Sequence, residues 1–361
     1  MAKKWCWMKT VMAETKRLRF GIVGCGNASL PVCEAITALV NTELTAVYDV
    51  NRDLAIDIHR RFHVPMMETL DGLLTNERVD VIYTAVPHHL LAGLTGQVLR
   101  AGKHALTEKP LAVSLAEIDE LTKLAHEHQL ALGVFYEMRY APAHALAREL
   151  IQAGMIGEII GVQIQSLIDK PLTYWQSGYS GRSINPWRSL KHQAGGGVVL
   201  MNTSHLLDAL FYITSLTVIN VSAEIGSLVA NVEVEDTASA TLRFNNGAVG
   251  SLMAGAHIRG AQYEECCRLY GTDGQIHLPD PYASDPLRIY LKRPWSQYGA
   301  GQWYSVSTAP VPVYQRAIED YVAAVQSGGC VPIDALAARR VLAVVLAMYQ
   351  SAAEKRNITI A

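Results

Sequence analysis

Residues 19–29 have the sequence RFGIVGCGNAS. An apolar, strand-like run leads directly into Gly24 and Gly26, and a segment of helical character follows. A strand, a glycine turn and a helix in this order suit a pyrophosphate, because the glycines let it approach the backbone and the helix N-terminus offers unpaired N–H groups. The third small position is Ser29, which still permits close packing of the helix. A glycine turn alone is a weak signal, so its context has to support it.

The residues that follow provide this support. A second strand-like run ends at Asp49, 23 residues after Gly26, close to the spacing expected for the acid that binds the adenosine ribose. A carboxylate accepts hydrogen bonds from a 2′-hydroxyl and repels a 2′-phosphate, so NAD is favoured over NADP. Arg52 leaves NADP open, because a guanidinium can bind a phosphate. The alternative interpretation of Asp49 is the N-cap of a helix that starts near Leu54.

Strand-like and helical segments continue to alternate up to about residue 138. Predicted strands cover residues 79–85, 104–106 and 131–136, and predicted helices cover residues 90–101 and 115–126, the second of these capped by Ser114. Such alternation specifies a parallel sheet with right-handed crossovers. We therefore predict an α/β, doubly wound Rossmann domain over residues 18–138, preceded by an extension at residues 1–17 that lacks the features of a signal peptide.

The segment KHALTEKP, residues 103–110, ends a predicted strand in a Glu-Lys pair before Pro110. Ligands of open α/β sheets bind at the carboxyl ends of the strands, so Lys109 is expected to project into the ligand crevice. For an isolated Glu-Lys-Pro tripeptide, a surface lysine at a strand corner is the commoner explanation. The flanking motifs favour the functional explanation, in which Lys109 contacts the ligand.

The pattern changes after residue 138. A predicted helix covers residues 141–152, and strand-like runs cover residues 159–168, 218–227, 236–244, 248–254, 267–270 and 287–291, with hairpin signals at residues 245–247 and 271–274. These runs predict an α+β domain over residues 139–361 with a large open, mainly antiparallel sheet. An exposed sheet face of that size is typical of a subunit interface, so we expect a homodimer or homotetramer. The helices predicted at residues 314–326 and 335–354 and a strand at residues 358–360 are expected to be architectural.

One stretch of this second half is polar enough to carry chemistry. Residues 174–182 form a loop rich in aromatic residues and glycine, of the kind that lines a sugar-sized pocket. Three glycines at residues 195–197 then precede a helix predicted over residues 198–213, whose polar positions include Asn202, His205 and Asp208. The spacing places Asn202 and His205 on one face, with Asp208 displaced around the helix. A lone histidine in an apolar helix is more often a satisfied core residue, but the glycines allow a ligand to approach closely.

Composition narrows the classes of partner. A net charge of −2 and a pI near 6.6 give no field that favours nucleic acid or an anionic membrane, and no DNA-binding motif is evident. The six cysteines lack the spacing of a zinc site or a disulfide framework, which indicates no metal and a reducing, cytoplasmic compartment. No apolar run approaches the ~18 residues that span a bilayer. We expect a small, polyhydroxylated substrate.

Four motifs in this order resemble the Gfo/Idh/MocA oxidoreductase family, which includes glucose–fructose oxidoreductase and inositol dehydrogenase. They are the glycine turn at residues 24–27, the Ala85-Val86-Pro87 loop, the Ala-Gly-Lys-His run at residues 101–104 and Glu108-Lys109-Pro110. The resemblance spans nearly everything after residue 16. It implies NAD or NADP, a β-sheet substrate domain, and a lysine, Lys109, that reaches both the nicotinamide ribose and the substrate. His88 stands where many members have Asn.

The resemblance also maps the family's catalytic histidine onto His205. Many members carry an aspartate four residues earlier, where this chain has Met201, and Asn202 can orient a hydroxyl but cannot take a proton. The cofactor-binding candidates are Gly24, Cys25, Gly26, Asn27, Ala28, Asp49, Arg52, Ala85, Val86, Pro87, His88, Glu108 and Lys109. The substrate-binding candidates are Lys109, Tyr136, Trp187, Arg188, Asn202 and His205, with Arg188 suited to a carboxylate or to hydroxyls.

Lys109 and His205 are therefore the predicted catalytic pair of an NAD(P)-dependent oxidoreductase. It would transfer a hydride between nicotinamide and a secondary alcohol of a sugar, cyclitol, sugar acid or related cyclic diol. Two alternatives stay open. An NAD-dependent lyase or glycosidase that oxidises its sugar transiently needs the same pair, whereas a non-catalytic NAD-sensing regulator has no need of it.

Overall fold

The computed structural model describes residues 17–182, 184–258, 260, 264–283 and 285–360. The predicted N-terminal extension lies outside the described residues, except for its last residue. In chain order the first half contains β1 (Leu18–Val23), α1 (Ser29–Ala38), β2 (Thr42–Tyr48), α2 (Arg52–Phe62), α3 (Leu70–Leu74), β3 (Val81–Thr84), α4 (His88–Arg100), β4 (His104–Glu108), α5 (Leu115–Glu127) and β5 (Leu132–Phe135).

The second half starts with a 3-10 turn at Glu137–Tyr140. It continues with α6 (Pro142–Gln152), β6 (Ile159–Leu167), α7 (Tyr174–Ser177), a 3-10 turn at Pro186–Ser189, α8 (Lys191–Ala194), a π-helical turn at Val199–Thr203 and α9 (Ser204–Thr214). The remaining elements are β7 (Val218–Gly226), β8 (Thr237–Phe244), β9 (Val249–Gly255), β10 (Glu264–Gly271), β11 (Gly274–Leu278), β12 (Leu287–Leu291), β13 (Trp303–Val306), α10 (Val313–Ser327), α11 (Ala335–Glu354) and β14 (Ile358–Thr359).

The first sheet confirms the Rossmann prediction. Within the described residues it has five parallel strands in the order β2-β1-β3-β4-β5. Its central strands are buried along their whole length, as in β3, because helices cover both faces. The helix predicted at residues 115–126 is α5, and Ser114 caps it through a capping box with Glu117. This topology places the carboxyl ends of β1, β3 and β4 side by side.

The second sheet confirms the predicted open, mainly antiparallel arrangement. In the described part of the chain it has nine strands in the order β13-β12-β11-β10-β6-β9-β8-β7-β14, and only β6 and β9 pair in parallel. Both predicted hairpins are present, between β8 and β9 and between β10 and β11. Strands such as β8 alternate buried and exposed residues, since one face packs against helices and the other faces outward.

The last helices of the chain join the two halves. Buried residues of α10, including Ile318 and Val322, belong to the core around α1 and the first sheet. Tyr321 in the same helix donates a hydrogen bond to the carbonyl of Ala105 at 3.0 Å. Among the described residues, α11 is the one helix long and apolar enough to cross a bilayer by length and composition, and 56% of it is buried inside the protein. Arg339 of α11 pairs with Asp119 of α5 at 2.7 Å.

Candidate active site

The glycine turn after β1 has the geometry that a dinucleotide pyrophosphate requires. Gly24 has φ +89°, and a Cβ there would lie 2.2 Å from the carbonyl oxygen of Ala85, so only glycine fits. A Cβ on Gly26 would meet nothing within 4 Å, which leaves open space against the turn. No side chain caps the N-terminus of α1, and the Ser29 hydroxyl donates inward to the carbonyl of Gly24. The first N–H groups of α1 are therefore available to an anion, as the cofactor prediction requires.

Asp49 lies at the end of β2 with its carboxylate on this turn. It accepts hydrogen bonds from the backbone N–H groups of Cys25 and Asn51, each at 2.7 Å. The N-cap of α2 is Asn51, so the alternative interpretation of Asp49 as that cap is wrong. Arg52 is exposed and forms a two-point ion pair with Glu68, at 2.5 and 3.0 Å. A carboxylate after β2 and a guanidinium already paired both favour NAD.

His88 links the two halves of the molecule. It begins α4 after the Ala85-Val86-Pro87 loop, and its Nδ1 lies 2.7 Å from the carbonyl oxygen of Ala194. Its ring packs on Trp187 with the centroids 4.6 Å apart. Burial and the cations Lys109 and Arg188 lower the pKa of His88 to about 3, although the hydrogen bond to Ala194 opposes this. The ring is therefore neutral, and its contacts lie in the substrate half.

Lys109 reaches from the end of β4 to the second half. Its ammonium donates a hydrogen bond to the carbonyl of Met201, 92 residues away in sequence. The preceding Glu108 accepts a hydrogen bond from the Tyr83 hydroxyl at 2.5 Å, and burial raises the pKa of Glu108 to about 7. The bond between Lys109 and Pro110 is cis. Lys109 therefore contacts the second half of the chain from the carboxyl end of β4.

Met201 lies in a π-helical turn, Val199–Thr203, that directly precedes α9. The helix predicted over residues 198–213 is confirmed, with a π-helical rather than an α-helical first turn. An apolar run supports both geometries equally, which is why the sequence does not distinguish them. Such wide turns occur frequently at functional sites. Here the turn presents the Met201 carbonyl to Lys109 and places His205 in the first turn of α9.

His205 follows this turn, and its side chain is 11% exposed. Its Nδ1 lies 3.6 Å from a carboxylate oxygen of Glu137 and makes no hydrogen bond within the described residues. The ring packs edge-on against Tyr136, a predicted substrate-binding residue, with the centroids 5.7 Å apart. Burial, and then the cations Lys109 and Lys170, lower the pKa of His205 well below 6.5. The imidazole is therefore neutral near pH 7 and able to accept a proton.

Glu137 supplies the carboxylate that the sequence did not place beside His205. It lies two residues after the end of β5, is almost fully buried, and accepts a hydrogen bond from the Tyr282 hydroxyl at 2.5 Å. Burial raises the pKa of Glu137, partly offset by this hydrogen bond. Sequence reasoning missed it because the carboxylate was sought four residues before His205, where Met201 stands. The available signal was an acidic residue at the carboxyl end of a parallel strand.

A buried ion pair holds the two parts of this site together. Arg139 and Asp208 form two hydrogen bonds, both 2.6 Å long, and the Asp208 side chain is 1% exposed. Asp208 lies three residues after His205, and Arg139 lies two residues after Glu137. The pair therefore fixes α9 against the turn that carries Glu137. Both carboxylate oxygens of Asp208 are engaged by Arg139.

The remaining predicted substrate residues are Asn202, Trp187 and Arg188. Asn202 lies in the π-helical turn, and its Oδ1 is buried without a hydrogen bond among the described residues. The guanidinium of Arg188 lies over the rings of Trp187 and Tyr174, at 4.5 and 5.2 Å from their centroids. Part of the predicted loop at residues 174–182 is helical, since α7 occupies Tyr174–Ser177.

Arg182, at the end of that loop, contacts the cofactor side of the crevice. Its Nη2 donates a hydrogen bond to the carbonyl of Cys25 at 3.3 Å and pairs with Asp57 of α2 at 2.8 Å. A cation from the second half therefore lies over the glycine turn. Sequence reasoning assigned this loop to the substrate, because no local pattern shows which half of the molecule a loop touches.

Comparison with known proteins agrees with this geometry. The profile described as "Oxidoreductase family, NAD-binding Rossmann fold" matches residues 18–136, and the profile of the GFO/IDH/MocA C-terminal domain matches residues 144–277. A dTDP-3,4-didehydro-2,6-dideoxy-alpha-D-glucose 3-reductase from Streptomyces violaceoruber is 37% identical over 148 residues, which make up 40% of this chain and 43% of that protein. Levoglucosan dehydrogenase from Pseudarthrobacter phenanthrenivorans is 26% identical over 330 residues, which make up 79% of this chain and 81% of that protein.

A solved structure shows the same fold. It is a levoglucosan dehydrogenase in complex with NADH, with a TM-score of 0.85 at 23% identity, and the alignment covers 96% of this chain and 100% of that one. The two family profiles together match most of the chain, one on each sheet. The predicted family and the predicted NAD cofactor are thereby confirmed. This chain belongs to the Gfo/Idh/MocA family of oxidoreductases, and its first half is that family's NAD-binding Rossmann domain.

Proposed function

We propose that this protein is an NAD-dependent dehydrogenase or reductase that interconverts a secondary alcohol and a ketone on a sugar, cyclitol, sugar acid or related cyclic diol. The observation that carries the proposal is the hydrogen bond from Lys109 to the carbonyl of Met201, four residues before His205. It brings the amine of Lys109 from the first sheet to the turn that precedes the neutral imidazole of His205, on which the Lys109 charge acts. The dehydrogenase and the reductase named among its relatives act on sugars, which supports this substrate class.

NAD, when bound, accepts or returns the hydride; the chain supplies positioning and the path of the proton. Lys109 donates a hydrogen bond to the reacting oxygen, where its charge stabilises a developing alkoxide. His205 accepts the hydroxyl proton in oxidation and returns it in reduction. Glu137 acts as a positioning residue. Its carboxylate beside Nδ1 favours the tautomer with a proton on that nitrogen, which leaves Nε2 as the base and stabilises the imidazolium that forms.

The proposal also includes the boundaries of the two domains and the assembly of the subunits. Residues 18–138 form the cofactor domain and residues 139–361 the substrate domain, although α10 packs on the first core. The outer face of the second sheet exposes Val249, Met253 and Trp303, and we place a homodimer or homotetramer contact there. Cysteine usage supports a cytoplasmic location.

The test is a screen of the purified protein with NAD over polyols, cyclitols, sugar acids and cyclic diols, with NADH absorbance and product analysis in parallel. A dehydrogenase releases NADH together with a keto product. Bond cleavage without net NADH identifies the redox-neutral lyase or glycosidase instead. Lys123→Ala and His126→Ala, both on the surface of α5, are matched controls for changes at Lys109 and His205. NAD binding with no turnover of any substrate class would contradict the proposal and favour the regulator.

A further inference from the structure

Three cationic side chains converge on Tyr174 at the substrate side of the crevice. The ammonium of Lys170, a residue that is 1% exposed, lies 3.7 Å from the centroid of the Tyr174 ring. The guanidinium of Arg188 lies 5.2 Å from the same centroid. Burial opposes ionisation of Tyr174, but Lys170, Arg188 and Lys109 together lower its pKa to about 8. All three positive charges therefore act on one small volume.

Arg188 has its hydrogen-bonding groups free for a ligand. Within the part of the chain that the structure describes, it makes no hydrogen bond and no ion pair, and its guanidinium contacts only ring faces and backbone. Gly178 provides the backbone contact: a Cβ there would lie 3.4 Å from the guanidinium, and φ is +70°. A guanidinium held in one orientation by rings and backbone presents a planar fork of donors, which matches a carboxylate at two points.

The carboxylates near these cations are already engaged by other groups. Glu265 accepts a hydrogen bond from the Ser166 hydroxyl at 3.0 Å, and burial raises its pKa to about 7. Glu137 and Glu108 accept hydrogen bonds from Tyr282 and Tyr83. Lys170 interacts with Tyr174. Arg188 has no carboxylate partner among the described residues, so a ligand that brings a negative charge to its guanidinium gains a charge-assisted hydrogen bond.

We propose that the substrate carries a carboxylate, which binds to the guanidinium of Arg188 beside the ammonium of Lys170, while the reacting alcohol faces Lys109 and His205. Uronic acids, aldonic acids and carboxylated cyclic diols have this chemistry, whereas neutral sugars do not. A carboxylate accepts two parallel hydrogen bonds from the planar fork of Arg188; a phosphate accepts them too, so the experiment compares the two anions. The inference rests on the proposed function for the redox step alone, since anion binding is measurable without turnover.

The experiment is isothermal titration of the protein–NADH complex with matched pairs of probes. Each of D-glucuronate, D-galacturonate and D-mannuronate is compared with its neutral amide, and D-glucose 6-phosphate tests the tetrahedral anion. We expect at least one acid to bind about 10- to 100-fold more tightly than its amide, the range of a charge-assisted hydrogen bond. Arg188→Gln should abolish this preference, Arg188→Lys should restore part of it, and Arg243→Gln, an exposed arginine of β8, should retain it.

The outcomes test the carboxylate proposal and the dehydrogenase proposal separately. If no acid binds more tightly than its amide, if the preference persists in Arg188→Gln, or if the sugar phosphate is the preferred anion, the carboxylate proposal is wrong. Melting curves of the Arg188 variants show whether a lost preference reflects lost folding. If Arg188→Gln does not fold, Arg188→Lys, which keeps the charge, is the variant that tests the proposal. Carboxylate preference without NADH formation from any probe contradicts the dehydrogenase and leaves the anion site intact. Neutral sugars oxidised as efficiently as the acids contradict the anion site and leave the dehydrogenase intact.

Discussion

Asp208→Asn should destabilise the protein and slow its reaction, because it breaks the ion pair that joins the two parts of the active site. The substitution keeps the shape of the side chain and removes its charge. It leaves the guanidinium of Arg139, whose side chain is 12% exposed, without its counter-ion. Breaking a buried ion pair by removing one partner costs about 3–5 kcal/mol of the free energy of unfolding. Turnover should fall as well, because α9 loses the contact that orients His205 towards Glu137.

Urea unfolding followed by circular dichroism measures the first effect, and steady-state NADH formation measures the second. The matched control is Asp119→Asn, which breaks another two-point pair with an arginine, Arg339, on the protein surface. Exposed pairs contribute little, so this control should unfold at the same urea concentration as the wild type. Equal midpoints for Asp208→Asn and Asp119→Asn would refute the assignment of the buried pair as the contact that holds α9 against the turn carrying Glu137.

Three further changes test separate parts of the site. Asp49→Asn removes the carboxylate that we expect to bind the adenosine ribose, so NAD should bind about tenfold more weakly and NADP should lose less affinity or gain some, as measured by fluorescence titration. Glu137→Gln should lower kcat by about 10- to 100-fold with an unchanged dissociation constant for NAD, whereas a purely structural role would lower thermal stability and leave the kcat of the folded enzyme intact. Lys170→Met removes a cation that lowers the pKa of His205. Because the neutral imidazole is the base, alcohol oxidation in the wild type should fail only well below pH 6.5, and the acid limb of kcat/KM should move to higher pH in the variant.

The cofactor half was predictable because its signals are local. Each of its motifs occupies consecutive residues: the glycine turn, the acid after β2 and the Glu-Lys-Pro end of β4. Buried parallel strands have apolar sequences, so they can be predicted without knowing which strands they pair with. Helix α2 was harder to predict, since only Leu54, Ala55 and Ile58 of its residues are buried and the rest of its surface is charged. Strands β11 and β13 were missed because they are short and contain polar residues.

The proton-handling part of the site depends on contacts between residues distant in sequence. Tyr282 reaches Glu137 across 145 residues, and Arg139 reaches Asp208 across 69. No periodicity or spacing encodes such a meeting, so the sequence could locate His205 without finding the carboxylate beside it. The sequence does not predict the π-helical turn that presents Met201 to Lys109, for a different reason. Its apolar residues are equally compatible with a regular helix.

The most direct test of the proposed chemistry is a double-mutant cycle on Lys109 and His205, measured as single-turnover NADH formation with an accepted substrate. Lys109→Ala and His205→Ala should each lower the rate by about 10²- to 10⁴-fold while the dissociation constant for NAD stays within a few-fold of the wild type. Because both groups act on one reacting oxygen, the double variant should be little slower than the slower single variant. Full activity in both single variants, or strictly multiplicative losses in the double variant, would contradict the account.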